Sequence, residues 1–154
     1  MYRISEELSN ELKVNYIEKI LRSLPEWFEL EEGIKKYIEE AKKTTCYISE
    51  SDGNVNGYIS VKSHNSDSAE ILSMGVLKEY QGHGIGRDLV GTVEKALKEK
   101  GIKLLQVKTL GPSANCEHYE KTRAFYISIG FYSLEENYEV WGVENPCLIM
   151  VKMI

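Results

Sequence analysis

Cysteine is scarce in this 154-residue chain: Cys46, Cys116 and Cys147 form an odd set without paired spacing. Neither a disulfide framework nor a zinc knuckle is suggested, and a reducing, cytoplasmic setting is expected. Histidine is as sparse. His64, His83 and His118 lack the spacing of metal ligands, so no metal is expected. Long apolar runs are missing too. The stretch from Cys147 to Val151 falls far short of the roughly twenty residues that span a bilayer. Met1 to Glu11 has no apolar segment behind a basic flank, so no membrane association or export signal is expected. Basic residues are outnumbered, 19 against 24 acidic, which leaves a formal charge of −5. That balance disfavours a broad nucleic-acid surface, which needs clustered lysine and arginine. It leaves room for a small anion held locally or a cationic substrate in an acidic cleft. With no internal repeat, low-complexity tract or long linker, residues 1–154 read as one domain.

What is present is a sequence of periodicities. A short apolar stretch at Tyr2 to Ile4 precedes a helical pattern in which Leu8, Leu12, Tyr16, Ile20 and Leu24 recur every fourth residue, ended by Pro25. A second helix is expected from about Leu30 to Lys43. Thr44 to Ser49 and Val55 to Val61 then read as strands around the turn Asp52-Gly53-Asn54. A third strand spans Ala69 to Val76, and a helix from about Gly84 to Lys98 stops at Gly101. A nearly continuous apolar strand follows from Ile102 to Leu110. Strand, glycine loop, helix and strand make a βαβ unit with parallel strands. A helix from about Glu117 to Ile129 and strands near Phe131 to Val140 and Leu148 to Met153 complete an α/β (α+β) mixed sheet with helices on it.

The segment Gln81-Gly82-His83-Gly84-Ile85-Gly86-Arg87 opens a helix just after a strand. Such a turn presents unpaired N–H groups at the positive end of the helix dipole, and its glycines admit a pyrophosphate close to the backbone. It lacks the Gly-Lys-Ser/Thr ending of a P-loop and does not match the dinucleotide fingerprint. Gln81, Gly84 and Gly86 after the strand Glu70 to Val76 closely resemble the acetyl-CoA signature of the GNAT superfamily of N-acyltransferases. Phe125 to Phe131, with Tyr126 four residues before Gly130-Phe131, is similar to that family's helix-to-strand segment.

The resemblance implies a mostly antiparallel sheet that splays at an acetyl-CoA site. Main-chain groups of Met74, Gly75 and Val76 would meet the pantetheine arm, and Gln81, Gly82, His83, Gly84, Ile85, Gly86 and Arg87 would hold the pyrophosphate. Asn115 is a further cofactor contact by the same resemblance. Tyr126 matches the family's proton donor to the leaving sulfur, and a phenol, uncharged at neutral pH, suits that task. The alternative is that this one of ten tyrosines simply packs a helix on the sheet. Glu70 resembles a glutamate that some relatives use as a base through water; the alternative is a solvated carboxylate at a strand end.

Cys116 and His118, two residues apart on a helix, do not face one another, which argues against a cysteine nucleophile. Trp27, Phe28, Tyr138 and Trp141 either line an acceptor pocket or belong to the core. The segment Trp141 to Cys147 is either a substrate loop or a contact in a homodimer. The expected activity is acetyl transfer from acetyl-CoA to a primary amine of a small molecule. A peptide or protein acceptor, and an acyl-CoA-binding domain without turnover, are the rival readings.

Overall fold

The computed structural model describes residues 1–154. Its strands are β1 (Arg3–Glu7), β2 (Thr45–Ser51), β3 (Asn54–Ser63), β4 (Ser68–Val76), β5 (Leu104–Leu110), β6 (Tyr132–Asn137) and β7 (Cys147–Met153). They form one sheet in the order β1-β2-β3-β4-β5-β7-β6. Only β4 and β5 run parallel; every other pair is antiparallel. The architecture is the mixed sheet that the periodicities predict, mostly antiparallel as the resemblance implies. The β2–β3 turn has two left-handed residues, Asp52 (φ 50°) and Gly53 (φ 79°), the backbone that a tight hairpin requires.

Strand alternation gives the sheet two apolar faces. Helices α1 (Asn10–Arg22) and α2 (Glu31–Ala41) cover one, where Ile17, Ile20, Leu21, Ile34 and Ile38 meet Cys46, Ile48 and Tyr58. Helices α3 (Ile85–Glu99) and α4 (Glu117–Ser128) cover the other, where Leu89, Val93 and Tyr126 meet Ile59, Ile71, Leu105 and Met150. Each fully buried aliphatic side chain contributes about 1.5–3 kcal/mol relative to exposure. Helix α1 departs from its expected stripe: Leu8 lies outside the helix and Leu12 is exposed, while Lys13, Ile17, Ile20 and Leu21 face inward. A repeat of four lags the 3.6-residue turn, so the stripe rotates off the core within two turns. Lys13 is accommodated because its ammonium donates to the Thr44 carbonyl at 2.7 Å.

The feature that positions the site is the parting of β4 from β5. Their pairing runs only from Ser68↔Leu104 to Ile71↔Val107. At the next residue β4 bulges: Val61 pairs with Ile71 and Ser60 with Ser73, leaving Leu72 extra. A bulge bends its strand and increases the local twist. Beyond it β4 follows β3 to Val76↔Gly57, while β5 follows β7 to Leu110↔Cys147. Arg123 of α4 donates to the Leu110 carbonyl at 2.7 Å and holds the far end of β5.

Gly75 lets α1 sit directly on the diverging part of β4, since a Cβ there would lie 2.9 Å from Cγ2 of Ile20 and 3.1 Å from Cδ1 of Leu24. Gly75→Ala is therefore expected to lower stability by about 1–3 kcal/mol. Urea unfolding checks this; an unmoved midpoint would mean that α1 yields without cost.

Candidate active site

The turn before α3 is built by backbone conformations that only glycine adopts freely. Gly82 (φ 80°) and Gly84 (φ 90°) are left-handed, and Gly84 caps α3 without a side-chain bond. The first main-chain bond of the helix comes from Asp88 to Gly84, so the amides from Gly82 through Arg87 have no backbone acceptor. Gly86 serves packing: a Cβ there would meet Cζ of Phe125 at 3.2 Å, so α3 and α4 approach closely beside the turn. Gln81 Nε2 donates to the Val76 carbonyl at 2.9 Å, tying the turn to the end of β4. The carboxylate of Asp88 is engaged by the Tyr2 hydroxyl at 2.6 Å.

A cleft of about 770 Å³ extends from this turn through the gap between β4 and β5. Met74, Gly75, Val76, Gln81, Gly82, Gly84, Ile85, Gly86 and Arg87 line it, together with Lys108 and Thr109 across the gap. The hydroxyl of Thr109 is buried without a partner. Unpaired strand edges, free helix-terminal amides and an orphaned hydroxyl are what a flexible polar arm ending in phosphates could satisfy. His83 and Asn115 are not part of the lining. Asn115 adopts a left-handed conformation (φ 52°) after the 3-10 turn Pro112–Ala114.

Tyr126 is buried on α4 with its ring between Phe125 and Phe131, at centroid distances of 5.3 and 5.4 Å. It lines the cleft, and burial raises its pKa well above the ordinary tyrosine value, with smaller contributions from Tyr119 and Tyr37. It packs the helix on the sheet and also carries a firmly protonated hydroxyl with no hydrogen bond spent inside the protein. Tyr119, by contrast, donates to the carbonyl of Trp27.

Glu70 is not solvated. It is buried on β4, accepting from Lys108 Nζ at 3.2 and 3.3 Å and from Gln106 Nε2 at 3.4 Å, with His64 Nε2 at 2.7 Å from its Oε1. Its carboxylate stands behind the cleft wall, and Lys108 is the member of the cluster that lines the cleft. Sequence reasoning missed Lys108 because its partner is 38 residues away and they meet only through the parallel register.

Trp27, Phe28 and Trp141 line the cleft; Tyr138 does not and bonds instead with Glu136 at 3.0 Å and Ser113 at 3.3 Å. His118 does not turn toward Cys116: its ring meets that of Trp27 edge-on at 5.1 Å. Glu26 is paired with Lys78, whose ammonium holds it below the usual carboxylate range. No three His, Cys, Asp or Glu side chains converge to hold a metal, and no helix is long and apolar enough to cross a membrane.

Comparison with known proteins agrees with this geometry. Residues 42–133 match the family model of the acetyltransferase (GNAT) domain. An uncharacterised N-acetyltransferase of Chlorobaculum tepidum is 27% identical over 118 residues, covering 77% of this chain and 68% of the relative. A crystal structure from Desulfovibrio desulfuricans, assigned to the GNAT family, superposes with a TM-score of 0.83 at 17% identity, covering 99% of both chains. A GNAT family acetyltransferase from Elizabethkingia anophelis with acetyl-CoA bound gives a TM-score of 0.71 at 17% identity, covering 99% of this chain and 98% of the other. The glycine turn, the parted strands and the helix carrying Tyr126 all lie within the matched residues, and this chain belongs to the GNAT acetyltransferases.

Proposed function

We propose that the chain transfers the acetyl group of acetyl-CoA directly to the primary amine of a small molecule. The observation that carries this reading is the row of unbonded amides from Gly82 through Arg87, opening into the gap between β4 and β5. When bound, acetyl-CoA would supply a thioester. The amides and Arg87 would hold its pyrophosphate, and the free edge at Met74, Gly75 and Val76 would align its arm.

The chemistry asks three things of the protein. The amine must be brought neutral against the thioester carbonyl, the developing oxyanion must meet donors, and the departing thiolate must be protonated. One carbon–nitrogen bond forms, one carbon–sulfur bond breaks, and one proton leaves nitrogen while one reaches sulfur. Tyr126 is our proposed donor to sulfur, supported by its place in the cleft lining on α4, beside the turn. Glu70 is our proposed final acceptor of the amine's proton. Because it lies behind Lys108, it would act at one remove, through water or through the Lys108 ammonium.

Calorimetry with acetyl-CoA is expected to show binding without added metal, and Gly84→Val to weaken it, because valine is strained at φ 90° and would obstruct the turn. A folded Gly84→Val protein with undiminished affinity would remove the turn from the site. Tyr126→Phe is expected to lower kcat by about 10²-fold to 10⁴-fold with little change in acetyl-CoA affinity. Near-full kcat in an assay limited by chemistry would leave Tyr126 a packing residue. For Glu70→Gln, kcat/KM should fall most at low pH, where more of the amine is protonated, and recover as pH rises; a uniform loss across pH would assign Glu70 to structure alone.

A further inference from the structure

We propose, building on the acetyl-transfer reading, that the acceptor is a compact monoamine on a flat apolar body, and that polycationic amines are rejected. Three features of the cleft's outer part, on the α1 and α2 side, carry the inference.

Its walls are aromatic: Trp27 and Phe28 from the α1–α2 connection, Tyr37 of α2, and Trp141 from the β6–β7 connection. Two of these are fixed in place. The Trp27 indole donates to Thr122 Oγ1 at 3.1 Å and to the His118 carbonyl at 3.2 Å, while Tyr119 holds the Trp27 carbonyl. Phe28 packs edge-on to Tyr37 at 6.0 Å. Flat rings held in advance give a planar ligand contact area at little cost in side-chain entropy.

The second feature is charge. Glu26 is the one carboxylate that lines the cleft, and Lys78 already neutralises it; Glu70, behind the wall, is neutralised by Lys108. The lining cations are Lys78, Arg87, Lys108 and Lys121. A second ammonium on the acceptor would find no free carboxylate and would be desolvated among like charges. The chain's net charge of −5 draws every cation toward the protein alike, over a screening length of about 8–10 Å, so discrimination falls to the lining.

The third feature is the anchor. Oε1 of Glu26 is buried without a hydrogen-bond partner, although Oε2 meets Lys78. That oxygen is closed to solvent, so Glu26 must turn to meet an amine, and one N–H then satisfies it.

The test measures acetyl-CoA-dependent acetylation of 2-phenylethylamine and tryptamine against spermidine and a lysine-rich peptide, with acetyl-CoA binding measured alongside. The expected result is a kcat/KM for the aromatic monoamines at least about tenfold above that for spermidine, since one well-filled pocket group is worth about 10–200-fold. Trp141→Ala, a change outside any helix or strand, should cut the aromatic rates about tenfold with acetyl-CoA affinity unchanged. Trp27→Ala should do the same where it folds. Lys78→Met, which leaves Glu26 without its partner, should narrow the gap between spermidine and phenylethylamine. Spermidine or the peptide acetylated as well as the aromatic amines would overturn the acceptor class and leave acetyl transfer standing, as would a Trp141→Ala protein with undiminished rates. Acetyl-CoA binding with no amine acetylated in any arm would overturn the transfer reading and this inference with it.

Discussion

Everything at this site depends on β4 and β5 ceasing to pair after Ile71 and Val107. Two parallel strands buried in mid-sheet would normally bond along their whole length, because unpaired main-chain groups in an interior cost free energy. Here each strand keeps its outer neighbour and gives up the inner one. The bulge at Leu72 turns β4 aside at the residue where parallel pairing stops, and Arg123 secures β5 at its far end. The gap is thus held from both sides by ordinary hydrogen bonds. A polar arm laid into it, as the proposed reading has it, would replace the ladder that the sheet has given up.

The parts of the site legible in the sequence are those written in consecutive residues. Gly82, Gly84 and Gly86 announce a glycine turn at a helix start, and its unpaired amides follow from where the apolar period begins. Tyr126, singled out by the family resemblance of Phe125 to Phe131, lines the cleft. Strand and helix limits fall within a few residues of their expected places because turns and caps are local. The cluster of His64, Glu70, Gln106 and Lys108 was not legible as a unit. Its members come from two strands and the connection before them, and only register brings them together. Glu70 alone in sequence could be read as a base or as a solvated carboxylate; the structure makes it buried, paired and one residue removed from the cleft. His83 and Asn115 lie near the expected contacts in sequence but outside the lining, because a left-handed turn or a short 3-10 segment redirects a side chain that spacing alone does not locate.

Gly86 and Gly75 put a missing side chain to the same use. Gly86 brings α4, and with it Tyr126, close to the start of α3; Gly75 brings α1 onto β4. In both cases the constraint is close packing beside the cleft, which the sequence pattern alone would have assigned to ligand approach.

Strand alternation also divides the labour of the site between the two faces of the sheet. The glycine turn, Tyr126 and Thr109 belong with α3 and α4; Trp27, Phe28, Tyr37 and the Glu70–Lys108 pair belong with α1 and α2. The two sides meet at the opening between β4 and β5 and where Trp27 of the α1–α2 connection bonds to α4. On the proposed reading, substitutions on the α1–α2 side would alter the acceptor wall while leaving the glycine turn before α3, on the other side, as it is.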